Sequence, residues 1–243
     1  MQKIVRIFLI VVSMGLLTLN NVFASMINVE IGRTKTSHNY FQLPNNDQNR
    51  VNLEDDKYLI SHRVNAKIDL KDDSFLYLVY APLTTNNSFR SGQSFQFNNS
   101  NFSSNASTEV SYKFNSYRMG YFKKLHYADN LKYWFGAILN VRDAKIEVRQ
   151  GGQKDSYRNV GIVPLLGAGF DYSLNDKFSI IGHVDSLGFS QGYAYDANAE
   201  IKYQHQSHSV GFGYRTIGGG VDNDKLMNFA RFETIYMSYG KEF

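Results

Sequence analysis

Cysteine is absent from this chain of 243 residues. No disulfide, thiol nucleophile or Cys-ligated metal therefore enters its chemistry. Proline occurs three times and tryptophan once, as Trp134, so strong breakers of regular structure are few. Only residues 7–19 form a long apolar run, and at about 13 residues it is shorter than the ~20 that a spanning helix requires. Neither charge sign dominates: the net charge is +4, the basic residues are scattered, and no basic patch is interleaved with aromatics. Nucleic acid is excluded as a partner on that ground. Helical periodicity is missing throughout.

What is present begins with a processing signal. Lys3 and Arg6 precede the apolar run, and Val22-Phe23-Ala24 supplies a small-residue cleavage pattern. Residues 1–24 read as a cleaved signal peptide, with the mature chain starting at Ser25. No cysteine follows that site, which excludes a lipoprotein anchor.

The mature chain, residues 25–243, alternates apolar and polar residues with period two, the pattern of strands with two unlike faces. In residues 57–70, Tyr58, Ile60, Val64, Ala66, Ile68 and Leu70 share one face; Ser61, Arg63, Asn65, Lys67 and Asp69 share the other. The last strand, about 228–243, sets Ile235, Met237, Tyr239 and Phe243 against Thr234, Ser238, Gly240 and Glu242. Further strands are expected near 26–36, 74–83, 109–125, 131–148, 157–172, 177–187, 196–204 and 208–217. A phase slip near Asn115-Ser116 suggests a bulge, and Pro164 sits awkwardly inside a strand, since proline cannot donate to a ladder.

Connections alternate between short turns (71–73, 127–130, 174–176, 204–207) and longer ones (37–56, 84–108, 149–156, 188–195, 218–227). If such strands cross a membrane they must close, because lipid leaves no other way to satisfy the backbone. The expectation is an all-β, antiparallel up-and-down transmembrane barrel of about ten strands, with eight or twelve as fallbacks. Residues 86–108, rich in Asn, Ser, Phe and Gln, are expected to form a mobile outer loop without a core.

The polar faces collect Glu30, Arg63, Lys67, Asp69, Lys132, Arg142, Asp185, Glu200, Lys202 and Arg215 in the lumen. Both signs are represented, so a paired network plugging a narrow lumen is the first reading and a narrow polar pore the second. His183 and Asp185 share a face, the spacing by which a carboxylate orients a histidine base; the pair is expected toward the outer mouth. The ordinary alternative is a lumen polar pair. Asp222 and Asp224, in a Gly-rich stretch, could offer oxygens to Ca²⁺; a flexible loop tip is the plainer reading. His205-Gln206-Ser207 falls in an inner turn. No cofactor is implied.

By residues 112–121 (YKFNSYRMGY), 160–172 (VGIVPLLGAGFDY), 211–215 (GFGYR) and the terminal strand, the chain resembles small bacterial outer-membrane barrels of the opacity-protein or porin-like kind. Lys241, two before the terminal Phe243, and Pro164 depart from the usual pattern. The resemblance implies a place in the bacterial outer membrane. It implies Tyr239 and Phe243 as a barrel-assembly signal. It also implies as partners the membrane's lipids and lipopolysaccharide, the barrel-assembly machinery and periplasmic chaperones. It implies no particular activity. A non-enzymatic envelope or surface role, or limited passage of small solutes, leads. The alternatives are an outer-membrane hydrolase, a protease or lipid A-modifying enzyme using His183 and Asp185, and an adhesin or receptor acting through outer loops.

Overall fold

The computed structural model describes residues 25–243 apart from Asp72; the expected signal peptide, residues 1–24, lies outside the described residues. The strands in chain order are β1 (Met26–Gln42), β2 (Val51–Asn52), β3 (Asp55–Asp69), β4 (Ser74–Ala81), β5 (Thr84–Arg90), β6 (Phe95–Phe97), β7 (Ser100–Phe102), β8 (Ser107–Ala128), β9 (Leu131–Gln150), β10 (Gln153–Ser173), β11 (Phe178–Phe189), β12 (Gly192–His205), β13 (His208–Asp222) and β14 (Met227–Glu242). Ten of these, β1, β3, β4 and β8 to β14, are antiparallel staves. The first and last staves pair, Met26 opposite Glu242, and close the barrel.

The exterior inverts the rule for soluble proteins. Ile27, Val29, Ile31, Phe135, Leu139, Ile162, Leu166, Phe212, Ile235 and Met237 are exposed, while Arg63, Arg118, Arg215, Asp185, Asp196 and Glu30 are buried. A lipid-facing wall around a polar interior requires this arrangement. The band has an upper edge. Along the outer face of β9, Tyr133, Phe135, Ala137, Leu139 and Val141 give way to Asp143, Lys145, Glu147 and Arg149. On β10, residues Val160 to Tyr172 give way to Lys154, Ser156 and Arg158. The staves therefore continue beyond the hydrocarbon, and above that edge their apolar side chains turn inward instead: Ile146, Val148, Val110, Tyr112 and Phe114 are buried.

That inversion corrects three expectations. The phase slip at Asn115-Ser116 is no bulge: β8 pairs β9 in continuous register there, and the irregularity lies between His126 and Ala128. Apolar residues change face because the strand leaves lipid. Nor are the last three outer connections long. β9–β10 turns at Gly151-Gly152 and β11–β12 at Ser190-Gln191, and residues 223–226 join β13 to β14. Gly151 adopts a φ of 57°, a left-handed turn conformation that glycine takes without steric cost.

The third correction concerns residues 86–108. They form β5 and the β6–β7 hairpin, and Phe95, Phe97 and Phe102 are buried. With Phe41, Leu43, Val51, Leu53, Phe114 and Phe232 they build an aromatic core inside the outer mouth. Phe41 meets Phe97 edge-on at 5.1 Å and Phe95 stacks on Phe102 at 5.4 Å. Polar side chains fasten the hairpin: Asn98 Nδ2 donates to Asp155 and Ser103 N to Gln150 Oε1. Asn and Ser in this tract tie down a cap that its phenylalanines fill.

Pro164 is accommodated because β10 pairs β9 along its whole length but pairs β11 only from Leu166 downward. At Pro164 the second edge has no ladder to interrupt.

Phe97→Ala should cost the cap about 3–5 kcal/mol. Limited trypsin digestion should then cut at Arg90, while heat-modifiable migration of the barrel on a gel stays unchanged.

Candidate functional site

Two layers lie in the lumen below the cap. The upper one is ionic and centres on Asp196. Arg63 Nη1, Arg118 Nη1 and Arg215 Nη1 all donate to its carboxylate at 2.7 Å. Arg118 also donates to Asp185 at 2.9 Å. Arg215 Nη2 grips both oxygens of Glu30 at 2.9 Å. Arg63 Nε donates to Asn65, Asn65 donates to Glu30, and Tyr77 Oη donates to Asn65. Arg118 Nε reaches Ser116, whose hydroxyl bonds Asn140. Three guanidinium groups thus meet three carboxylates, each in several charge-assisted bonds, which is how burial of such charges is offset.

Below lies an aromatic layer. Phe122, fully buried, stacks on Phe75 at 5.1 Å. A Cβ on Gly120, Gly136 or Gly167 would come within 2.7–2.8 Å of its ring, so three glycines hollow the wall to hold it. His183 belongs to this layer. Its Nδ1 accepts from Trp134 Nε1 at 2.9 Å, which puts the proton on Nε2, and Nε2 donates to Asp185 at 2.6 Å. Both ring nitrogens are engaged. His183 lies five residues past the inner end of β11. The pair is therefore in the inner half of the barrel, not toward the outer mouth as expected.

The remaining sequence-derived residues disperse. Glu30, Arg63, Asp185 and Arg215 are in the ionic layer, and Glu200 stands beside it, accepting from Ser238. Lys67, Asp69 and Lys202 form pairs near the inner mouth: Lys67 and Lys124 meet Asp69, and Lys202 meets Asp171. Lys132 is exposed at the same end, its register partner being Asp171. Arg142 sits above, over the Phe114 ring. Asp222 accepts from Asn45 Nδ2, a clasp between the first and last outer connections. No group of three metal-ligating side chains exists among the described residues. Tyr239 is exposed and bonds His208, and Phe243 N reaches Ser25 O.

Sequence reasoning missed Arg118, which bridges Asp185 and Asp196, and Asp196, on which three arginines converge. Asp196 shares its parity with Glu200 and Lys202, both expected in the lumen, so alternation alone could have found it. Arg118 was hidden by the supposed bulge.

A closed sheet, a lipid-facing outer band and an interior of paired charges decide the architecture. The fold is that of a bacterial outer-membrane β-barrel. No protein-family model matches the chain, and no curated relative does. Among solved structures, the barrel is similar to the outer-membrane protease OmpT from Escherichia coli, with a TM-score of 0.52 at 8% identity over 92% of this chain and 98% of that one. The transport unit of the autotransporter AIDA-I from Escherichia coli gives 0.48 at 10% identity over 93% and 92%. The attachment invasion locus protein Ail of Yersinia pestis gives 0.41 at 10% identity over 91% and 100%. At such identities the likeness concerns fold alone.

Above the bilayer, Glu147 is clasped by Lys145 at 2.5 Å, by Arg149 and by Lys154 at 3.1 Å. The hydrogen bond from Lys145 contributes most, and together the three cations hold the carboxyl down to about 2. A carboxyl depressed on folding stabilises the folded state above its unfolded value, and that gain fades as pH falls toward the folded value. Glu147→Gln should therefore flatten the dependence of the urea midpoint on pH between the ordinary glutamate range and about 2, leaving neutral pH to show the full loss. Asp196→Asn should lower the unfolding free energy by about 3–5 kcal/mol, because three buried guanidinium groups lose their shared partner; urea titration in detergent measures it.

Proposed function

We propose that this chain is a sealed, non-enzymatic barrel of the outer membrane that acts through its structured outer cap and not by passing solutes. One observation carries this reading: the cap core, the Asp196 ionic layer and the Phe122 layer are stacked in series along one narrow axis. A steady pore would need all three to part, and each is held by interactions that favour closure. The cap itself fits a surface role, because it is packed around its own core, faces outward and is fastened to β9, β10 and the last outer connection. A preordered surface loses little conformational freedom on binding.

The proposal includes maturation at Ser25 after removal of residues 1–24. Tyr239 and Phe243 serve as the strand offered to the barrel-assembly machinery after periplasmic chaperones deliver the chain. Membrane lipids and lipopolysaccharide are its standing neighbours. A hydrolytic role for His183 and Asp185 is disfavoured, since Trp134 and Asp185 occupy both imidazole nitrogens.

Purified protein in a planar lipid bilayer should give no steady current steps. Reproducible single-channel conductance from the wild-type chain would refute the sealed-lumen reading.

A further inference from the structure

Partway up the wall β3 loses the neighbour on one of its edges. β1 pairs β3 from Lys67 up to Asp55, but β4 pairs β3 only from Asp69 up to Val64. Above that point the chain on the far side turns away. β4 ends at Ala81, Pro82 has no N–H to offer, and β5 pairs only with β8. Leu83 is drawn the same way: Phe114 N donates to its carbonyl at 2.8 Å and its own N–H donates to Asn115 Oδ1 at 3.1 Å. Higher up, Asn87 Nδ2 reaches back to Leu53 O and Asp55 Oδ2. The result is a window, closed above and below, between Ser61-His62 and Ala81-Pro82.

Behind the window is a cavity of about 50 Å³, several times the ~10–15 Å³ that one water needs. Arg63 and Arg215 form part of its wall. Both are nearly fully buried, at 5% and 6% exposure, yet Arg63 Nη2 and Arg215 Nε have no hydrogen-bond partner within the chain. Glu30 is the one carboxylate in that wall, and Phe114, Ile217 and Phe232 give it an apolar side. The window sits at a definite height. Ile31 lies opposite His62 and Arg33 opposite Ile60, so the opening straddles the edge where outward apolar residues give way to Arg33 and Lys35.

We propose that this cavity takes the acidic headgroup of a membrane amphiphile, a carboxylate or phosphate oxyanion that enters sideways from the outer leaflet with its tail left in the bilayer. Buried guanidinium N–H groups without acceptors are costly, and an oxyanion drawn into the cavity offers the two arginines in its wall charge-assisted bonds. The cavity has room for such a group but not for an acyl chain, so the chain must leave through the window. The unpaired edge of β3 points the same way, since a strand edge facing hydrocarbon needs polar partners that a headgroup supplies. This site opens through the wall, not along the axis, and stands whether or not the lumen conducts.

The test uses the mature protein in phosphatidylcholine nanodiscs, at alkaline pH where stearate is ionised, with nitroxide-labelled stearate and the matching labelled alcohol as probes. Electron paramagnetic resonance should show an immobilised fraction for the acid well above that for the alcohol. Ala81→Phe, which fills the cavity from its wall and removes none of the ionic layer's side chains, should abolish that excess. Arg63→Gln should weaken binding about tenfold. Inorganic phosphate should fail to displace the probe. Equal immobilisation of acid and alcohol, as water-filled space alone would give, overturns the proposal. So does an excess that survives Ala81→Phe, or displacement by inorganic phosphate, which would make the ligand a free anion.

Discussion

A strand in hydrocarbon must find a hydrogen-bonding neighbour along both edges, and most of this structure follows from that demand. It forces β14 to return to β1 and so makes a tube of the sheet. The tube in turn imposes a narrow interior whose side chains come from opposite walls. Arg63 of β3, Arg118 of β8 and Arg215 of β13 converge on Asp196 of β12 only because closure brings distant staves face to face. Their charges are tolerated there because each finds more than one partner.

The same demand explains where the wall is incomplete. β10 runs unpaired toward β11 above Leu166, and β3 runs unpaired toward β5 above Val64. A proline marks each place, Pro164 and Pro82. Proline lacks the donor that an uninterrupted ladder would use, so at these two positions the sequence carries a residue suited to an edge and not to a sheet centre.

Much of this was legible beforehand. The ten staves, their antiparallel order and the inner turns follow from period-two alternation, clearest in β3 and β14, where the membrane stretch of one face is largely apolar. What stayed hidden has one physical source. Alternation was read as if apolar residues always face outward, but above the bilayer the solvent on the outside is water and the core moves inside. Hence Phe114 and Tyr117 face opposite ways on one unbroken strand, and residues 149–156, in fact the ends of β9 and β10 around a two-residue turn, read as a longer connection. The Asn- and Ser-rich tract misled for a related reason: Phe95, Gln96 and Phe97 alternate as a strand should, within a composition that reads as disorder. The ionic layer was half visible, since parity places a charge in the lumen while pairing depends on which staves lie across from one another.

The outer cap draws its apolar residues from β1, β6, β7, β8, β9 and β14 at once, and Asn45 clasps Asp222 and the residues after it. Phe41 comes from the first stave and Phe232 from the last, so this core is complete only when the two ends of the sheet have met. The plug is thus a record of completed closure: a barrel that has failed to zip its seam leaves those aromatic rings uncovered, the kind of surface that quality-control chaperones and proteases recognise.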